Sequence, residues 1–294
     1  MGTPDFAVPS LKVLTESGHS VIAVVTGADK ERGRGQKLTY TPVKEFALQN
    51  NIPVLQPEKL KDENFINRLK ELNADLYVIV AFRILPVEVF TIPPKGTFNL
   101  HGSLLPKYRG AAPIQWALIN GDKETGVTTF MLEQKVDTGN MVLQEKIAIE
   151  EEDDFGTMHD KLSLLGADVV SKTVALIDDG NIKLQKQDDS LASPAPKITK
   201  EITEINWNKS AEEIHNLIRG LSPYPGAFFK FRDKVIKIYK SKISAGHSCP
   251  GEFKQTKNSL IIGCGKDCIK VLELQQEGKK RLKIDEFLRG FSFI

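Results

Sequence analysis

The sequence predicts an α/β protein, a doubly wound and mostly parallel sheet, followed by a small antiparallel β-barrel of OB-like type. Three observations carry that expectation. Over the first two-thirds of the 294 residues, near-continuous apolar runs of strand length alternate with stretches of helical spacing. A polar, proline-containing segment, DDSLASPAPKITK, then breaks the periodicity, and several short strand-like runs follow it. The expected division is a first domain over residues 1–180, a linker over 181–204 and the barrel over 205–294.

The elements follow in order. Val8 to Glu16 has helical spacing, and VIAVVT (Val21 to Thr26) is apolar throughout, as a strand covered on both faces must be. Pro42 to Gln49 reads as a helix, IPVL (Ile52 to Leu55) as a strand, Glu63 to Leu72 as a helix and DLYVIVA (Asp75 to Ala81) as a strand. TFNLH is a short strand, PIQWALIN a helix, and GVTTFMLE with MVLQEKIAI a pair of strands around the turn VDTGN. From Phe155 to Asp178, Leu162, Leu165, Val169, Thr173 and Leu176 recur on one helical face. Beyond the linker, AEEIHNLIRGL is an amphipathic helix, and AFFKF, VIKIYKSKI, SLIIGC and IKVLEL are the strands of the barrel.

Composition narrows the function classes. Hydrophobic residues make up 40% and charged residues 27%, no apolar run reaches membrane-spanning length, and MGTPDFAVPS is no signal peptide. A cytoplasmic protein is expected. Cys249, Cys264 and Cys268 are an odd set with only His247 nearby, so free thiols and no metal are expected. Net charge is +2, yet residues 207–294 hold 17 Lys/Arg against 9 Asp/Glu, while residues 1–206 hold 23 against 29. The split favours a nucleic-acid partner, with a solvated basic surface as the other reading.

The chemistry concentrates in FNLHGSLLPKYRGAAPIQWALINGD. Asn99 and His101 end a strand and Asp137 lies in the VDTGN turn, and ligands of open α/β sheets gather at the carboxyl ends of strands. Histidine exchanges a proton near neutral pH, a carboxylate fixes its tautomer, and an asparagine amide donates to a developing oxyanion. No GxSxG elbow, Walker loop or GxGxxG is present, and no cysteine lies near the histidine. Direct attack of a bound amine on a bound acyl donor remains. Spacing alone leaves a second reading open, in which His101 is structural and Asn99 and Asp137 merely form turns.

These motifs resemble the formyltransferases that use 10-formyltetrahydrofolate. The resemblance rests on GTPDFAVPSL, GRGQKLTYTPVK, FNLHGSLLPKYRGAAPIQW, GVTTFMLEQKVDTGN and APKITKEITEINW, which together span nearly the whole chain. It implies a Rossmann-like formyltransferase domain. The early loop, the Ala-Pro-Lys linker and the C-terminal domain narrow it to members that formylate the α-amine of initiator methionyl-tRNA. The resemblance implies Asn99, His101 and Asp137 as the catalytic set, with Ser103, Leu104, Leu105 and Pro106, together with Ala81, Phe82 and Ile84, at the folate site. Arg32, Arg34, Lys37 and Lys44 would meet tRNA, and the enzyme would be a monomer without metal or membrane. Formylation of an amino sugar nucleotide and hydrolysis of the folate are the alternatives.

Two departures from the resemblance raise further expectations. Arg83 stands where many relatives have glycine, so the pteridine wall is expected to differ. Relatives carry a short apolar strand before Gly-Thr-Pro-Asp-Phe; here Met1-Gly2 precedes Thr3, so the first strand is expected to be missing, Met1 to be an internal methionine, and a form extended by about six to eight residues to be more stable.

Overall fold

The computed structural model describes residues 1–32 and 37–294. They divide into two compact units: residues 1–110, 126–147 and 159–194 form one, and residues 111–125, 148–158 and 195–294 the other. Among them, no helix is long and apolar enough to cross a membrane.

In the first unit, local chemistry sets the helix ends. After α1 (Val8–Thr15), α2 (Pro42–Gln49) starts at Thr41, whose hydroxyl accepts from the Lys44 amide, with proline at its first position. Asp62 caps α3 (Glu63–Leu72) in the same way, and Asn73, in the left-handed region at φ 46°, ends it. The strands are β1 (Val24–Val25), β2 (Lys30–Arg32), β3 (Lys37–Thr39), β4 (Val54–Leu55), β5 (Tyr77–Val80), β6 (Thr97–His101), β7 (Arg109–Gly110), β8 (Glu124–Met131), β9 (Met141–Ala148) and β10 (Pro194–Ala195). The short helix α4 (Val87–Phe90) follows β5 and the long α6 (Phe155–Asp178) follows β9, while α5 (Pro113–Ile119) belongs to the second unit.

Strands β5, β6, β8 and β9 lie side by side in that order, β5 parallel and β8 antiparallel to β6, and β1 pairs with β4 in parallel. The expected strand over Val21 to Thr26 shrinks to β1, because β4 offers it only two ladder positions. Among the described residues, Met1 and Gly2 run between β1 and β5: the Gly2 amide donates to Val25 O (3.0 Å), the Val80 amide to Met1 O (2.9 Å) and the Met1 amine to Val78 O (2.6 Å). Beside that stub lies a cavity of 490 Å³, lined by Met1, Val24, Leu76 and Val78 among others. Gly2 fits because a Cβ there would come within 2.8 Å of Val80 O. On the covered side, Gly166 of α6 admits the Leu100 side chain, which a Cβ would meet at 2.5 Å.

In the second unit, α5 packs on α8 (Ala211–Gly220), where Gly220 leaves room for Ile119. A capping box between Ser210 and Glu213 starts α8, and the four-residue α7 (Lys200–Thr203) precedes it. Strands β11 (Ala227–Phe231), β12 (Lys234–Ser244), β13 (Phe253–Gln255), β14 (Leu260–Gly263), β15 (Cys268–Gln276) and β16 (Leu282–Lys283) build an antiparallel sheet, ordered β11-β12-β15-β14-β13 with β16 added to β15. The four-residue α9 (Ile284–Phe287) follows. The expected barrel is a curled half-barrel. Its end strands do not close on each other: the Ile205 amide donates to Phe228 O (2.7 Å) along β11, and Phe293 stacks on Phe253 of β13 at 5.3 Å. Phe229, Phe231, Phe287 and Phe291 extend that aromatic cluster.

Candidate active site

The strand β6 carries Asn99 and His101 on one face, since side chains two apart in a strand point the same way. His101 is buried and Asn99 half-buried. The His101 Nε2 lies 2.8 Å from the carbonyl oxygen of Tyr108. A carbonyl only accepts, so the ring proton sits on Nε2 and the lone pair on Nδ1. That Nδ1 faces the Asp137 carboxylate, with Oδ2 at 4.0 Å. The separation is too long for a hydrogen bond, and becomes an ion pair once Nδ1 takes a proton.

Both oxygens that flank the ring belong to residues whose backbone is strained. Tyr108 (φ 62°) and Asp137 (φ 55°) occupy the left-handed region, which costs a side-chain-bearing residue roughly 1–2 kcal/mol. Tyr108 is held by its amide, which donates to Ser193 Oγ (2.9 Å), and Asp137 by its Oδ2, which accepts from the Gly110 amide (2.9 Å). Gly139 closes the turn after Asp137 under the Met131 carbonyl, where a Cβ would sit 1.7 Å from the oxygen.

The segment between β6 and β7 is a backbone wall. Thr128 Oγ1 donates to Ser103 O (2.7 Å) and accepts from the Leu105 amide (3.1 Å), while Gln144 Nε2 donates to Leu105 O (2.9 Å). Ser103 and Leu105 are buried, the Ser103 hydroxyl donating to Lys107 O (2.6 Å), and Leu104 and Pro106 are half-buried. Across from this wall in sequence, β5 ends in an irregular loop: Ala81 sits at φ 48°, Phe82 is half-buried and Ile84 is 74% exposed. The Arg83 guanidinium lies over the Phe82 ring, 5.4 Å from its centroid, and donates to Pro57 O (2.7 Å) and Glu58 O (3.0 Å).

Of the cationic residues expected to meet tRNA, Arg32 lies on β2 and Lys37 on β3, while Arg34 falls outside the described residues. Lys44 is occupied: its ammonium donates to Asp29 (2.5 Å) and Gln56 (2.8 Å) and sits 4.2 Å over the Tyr40 ring. The hydrogen bonds from Lys44 and Gln56 hold the Asp29 carboxyl below its ordinary range. Among the described residues, no group of three or more His, Cys, Asp or Glu side chains could hold a metal ion.

Sequence reading did not find Tyr108, Thr128, Gln144 or Gln187. Tyr108 acts through its carbonyl and the two polar strand residues through bonds to backbone, so their side-chain chemistry gave no signal. Gln187 lies in aperiodic sequence with nothing to mark it.

The model of the formyl transferase family matches residues 1–174, and that of its C-terminal domain matches residues 197–292. The chain belongs to the formyl transferase family. The methionyl-tRNA formyltransferase of Caldanaerobacter subterraneus subsp. tengcongensis is 50% identical over 294 residues, covering 99% of this chain and 95% of the relative. That of Bacteroides fragilis is 49% identical over 303 residues, covering 99% and 94%. Among solved structures, the sugar 3N-formyl transferase WlaRD, crystallised with dTDP and 5-N-formyl-THF, superposes with a TM-score of 0.70 at 25% identity over 95% of this chain and 97% of that one. An N-formyltransferase from Helicobacter canadensis shares the fold at a TM-score of 0.68 and 22% identity, covering 96% and 97%. As in any formyl transferase, the chemistry to be explained is movement of a one-carbon acyl group.

Proposed function

We propose that this formyl transferase moves the formyl group of 10-formyltetrahydrofolate to the α-amine of initiator methionyl-tRNA. Carrying the choice of acceptor is the identity of about half the residues to methionyl-tRNA formyltransferases over nearly the full length of both chains. An enzyme of translation initiation works where ribosomes are, in the cytoplasm.

In this reading Asn99, His101 and Asp137 do the chemistry. His101 Nδ1, left without a proton by the Tyr108 carbonyl, takes the proton that the amine loses as its nitrogen bonds to the formyl carbon. Asp137, 4.0 Å away, stabilises the imidazolium so formed. The Asn99 amide, which makes no side-chain hydrogen bond among the described residues, is available to donate to the formyl oxygen as it becomes negative. His101 then returns the proton to folate N10 as the bond from N10 to the formyl carbon breaks, so no charge or proton is left over.

For the folate, the apolar surfaces of Phe82 and Ile84 and the half-buried Leu104 and Pro106 suit the flat pterin, with Ala81 offering backbone. Ser103 and Leu105 serve from behind, by holding the wall's shape. Arg32, Arg34 and Lys37 are assigned to tRNA phosphates, and Lys44 to holding Asp29 and Gln56 in place. Residues 1–180 would carry the chemistry and residues 205–294, rich in cations, the acceptor arm.

The deciding experiment offers 10-formyltetrahydrofolate together with methionyl-tRNA, an amino sugar nucleotide, or water alone. Formyl-methionyl-tRNA as the dominant product is the expected result. Preferential formylation of the sugar, or release of formate without an acceptor, would overturn it.

A further inference from the structure

We propose that Gln187 is a positioning residue for the formyl-transfer site, acting through Asp137. The inference rests on Asp137 having the role given above.

Gln187 is 4% exposed, and its side-chain amide is fully used. Its Nε2 donates to Asp137 O (3.0 Å) and to Gly139 O (2.8 Å). Its Oε1 accepts from Arg109 Nε (3.0 Å) and Arg109 Nη2 (2.7 Å), and Nη2 also donates to Asp189 Oδ1 (2.7 Å). One amide therefore joins the two carbonyls of the strained turn to the guanidinium of the residue next to Gly110. The Gly110 amide in turn holds the Asp137 carboxylate. The result is a closed ring: carboxylate to the 109–110 backbone, guanidinium to Gln187, Gln187 back to the turn.

The ring explains how a residue in the left-handed region keeps its carboxylate at one distance from His101. Gly139 cannot shift toward Met131, and the 137 and 139 carbonyls cannot rotate without abandoning their buried donor. Only a side chain with two donors and one acceptor on a single planar group satisfies all four bonds. Leucine supplies none. Glutamate supplies acceptors for Arg109 but no donor for the carbonyls, so it strengthens one half of the ring and breaks the other.

The test compares Gln187→Leu and Gln187→Glu with Asp137→Asn and with the double variant carrying Gln187→Leu and Asp137→Asn, using the full-length protein, 10-formyltetrahydrofolate and methionyl-tRNA. Kinetics are normalised to folded protein. If Gln187 positions Asp137, both Gln187 variants lose at least about 10-fold in kcat while either KM changes by less than about 3-fold, and the double variant is little worse than Asp137→Asn alone. Gln187→Glu, nearly isosteric and still able to bind Arg109, keeps the test open should Gln187→Leu fold poorly. Unchanged kcat in Gln187→Glu, a loss confined to KM, or losses that simply multiply in the double variant would overturn the inference. A wild-type kcat for Asp137→Asn would instead remove the underlying role of Asp137, a result read directly from the single variant.

Discussion

At the scale of the residue, His101 is defined by what its two nitrogens face. Because Nε2 is tied to a carbonyl, the ring lone pair belongs to Nδ1, and in the proposed reaction a side chain that supplied only the other nitrogen would fail. His101→Ala and Asp137→Asn should each reduce single-turnover formylation by about 100-fold or more, with tRNA binding retained, the loss expected for acid-base groups. Near-normal turnover in quenched-flow measurements would count against the assignment. The cysteines make a separate prediction. Cys249 is exposed, whereas Cys264 is buried and its thiol is pushed up to about 11, by burial first and then by Cys268. Titration with a thiol reagent should therefore find one fast-reacting group in the native protein and three in denaturant.

At the scale of the element, most of the fold was legible and part of the site was not. Helices α2, α3 and α6 and strands β6 and β11 begin and end where periodicity, caps and prolines place them. Strand β1 was overestimated because apolar composition records burial, whereas strand length depends on partners that sequence does not display. Asn99, His101 and Asp137 could be singled out as candidates because each offers its own side chain. The Tyr108 carbonyl and the Gln187 brace could not, because the first is backbone and the second depends on a fold that brings residues 78 positions apart together.

At the scale of the whole molecule, charge and chain path matter most. The excess of cations in residues 207–294 predicts that tRNA affinity falls steeply with ionic strength while folate affinity does not, which filter binding and fluorescence titration at several salt concentrations would establish. The chain also passes between its two compact units five times, at residues 110, 125, 147, 158 and 194. Such a path resists modular exchange. Two short segments, 111–125 and 148–158, fold with the C-terminal unit although they are encoded well upstream of it, and α5 in the first of them is seated on α8. A recombination event that grafted a foreign C-terminal domain after residue 194 would strand both segments against surfaces they were never fitted to. Exchange of acceptor specificity within such a lineage would therefore proceed by point substitution and loop change, not by swapping cassettes.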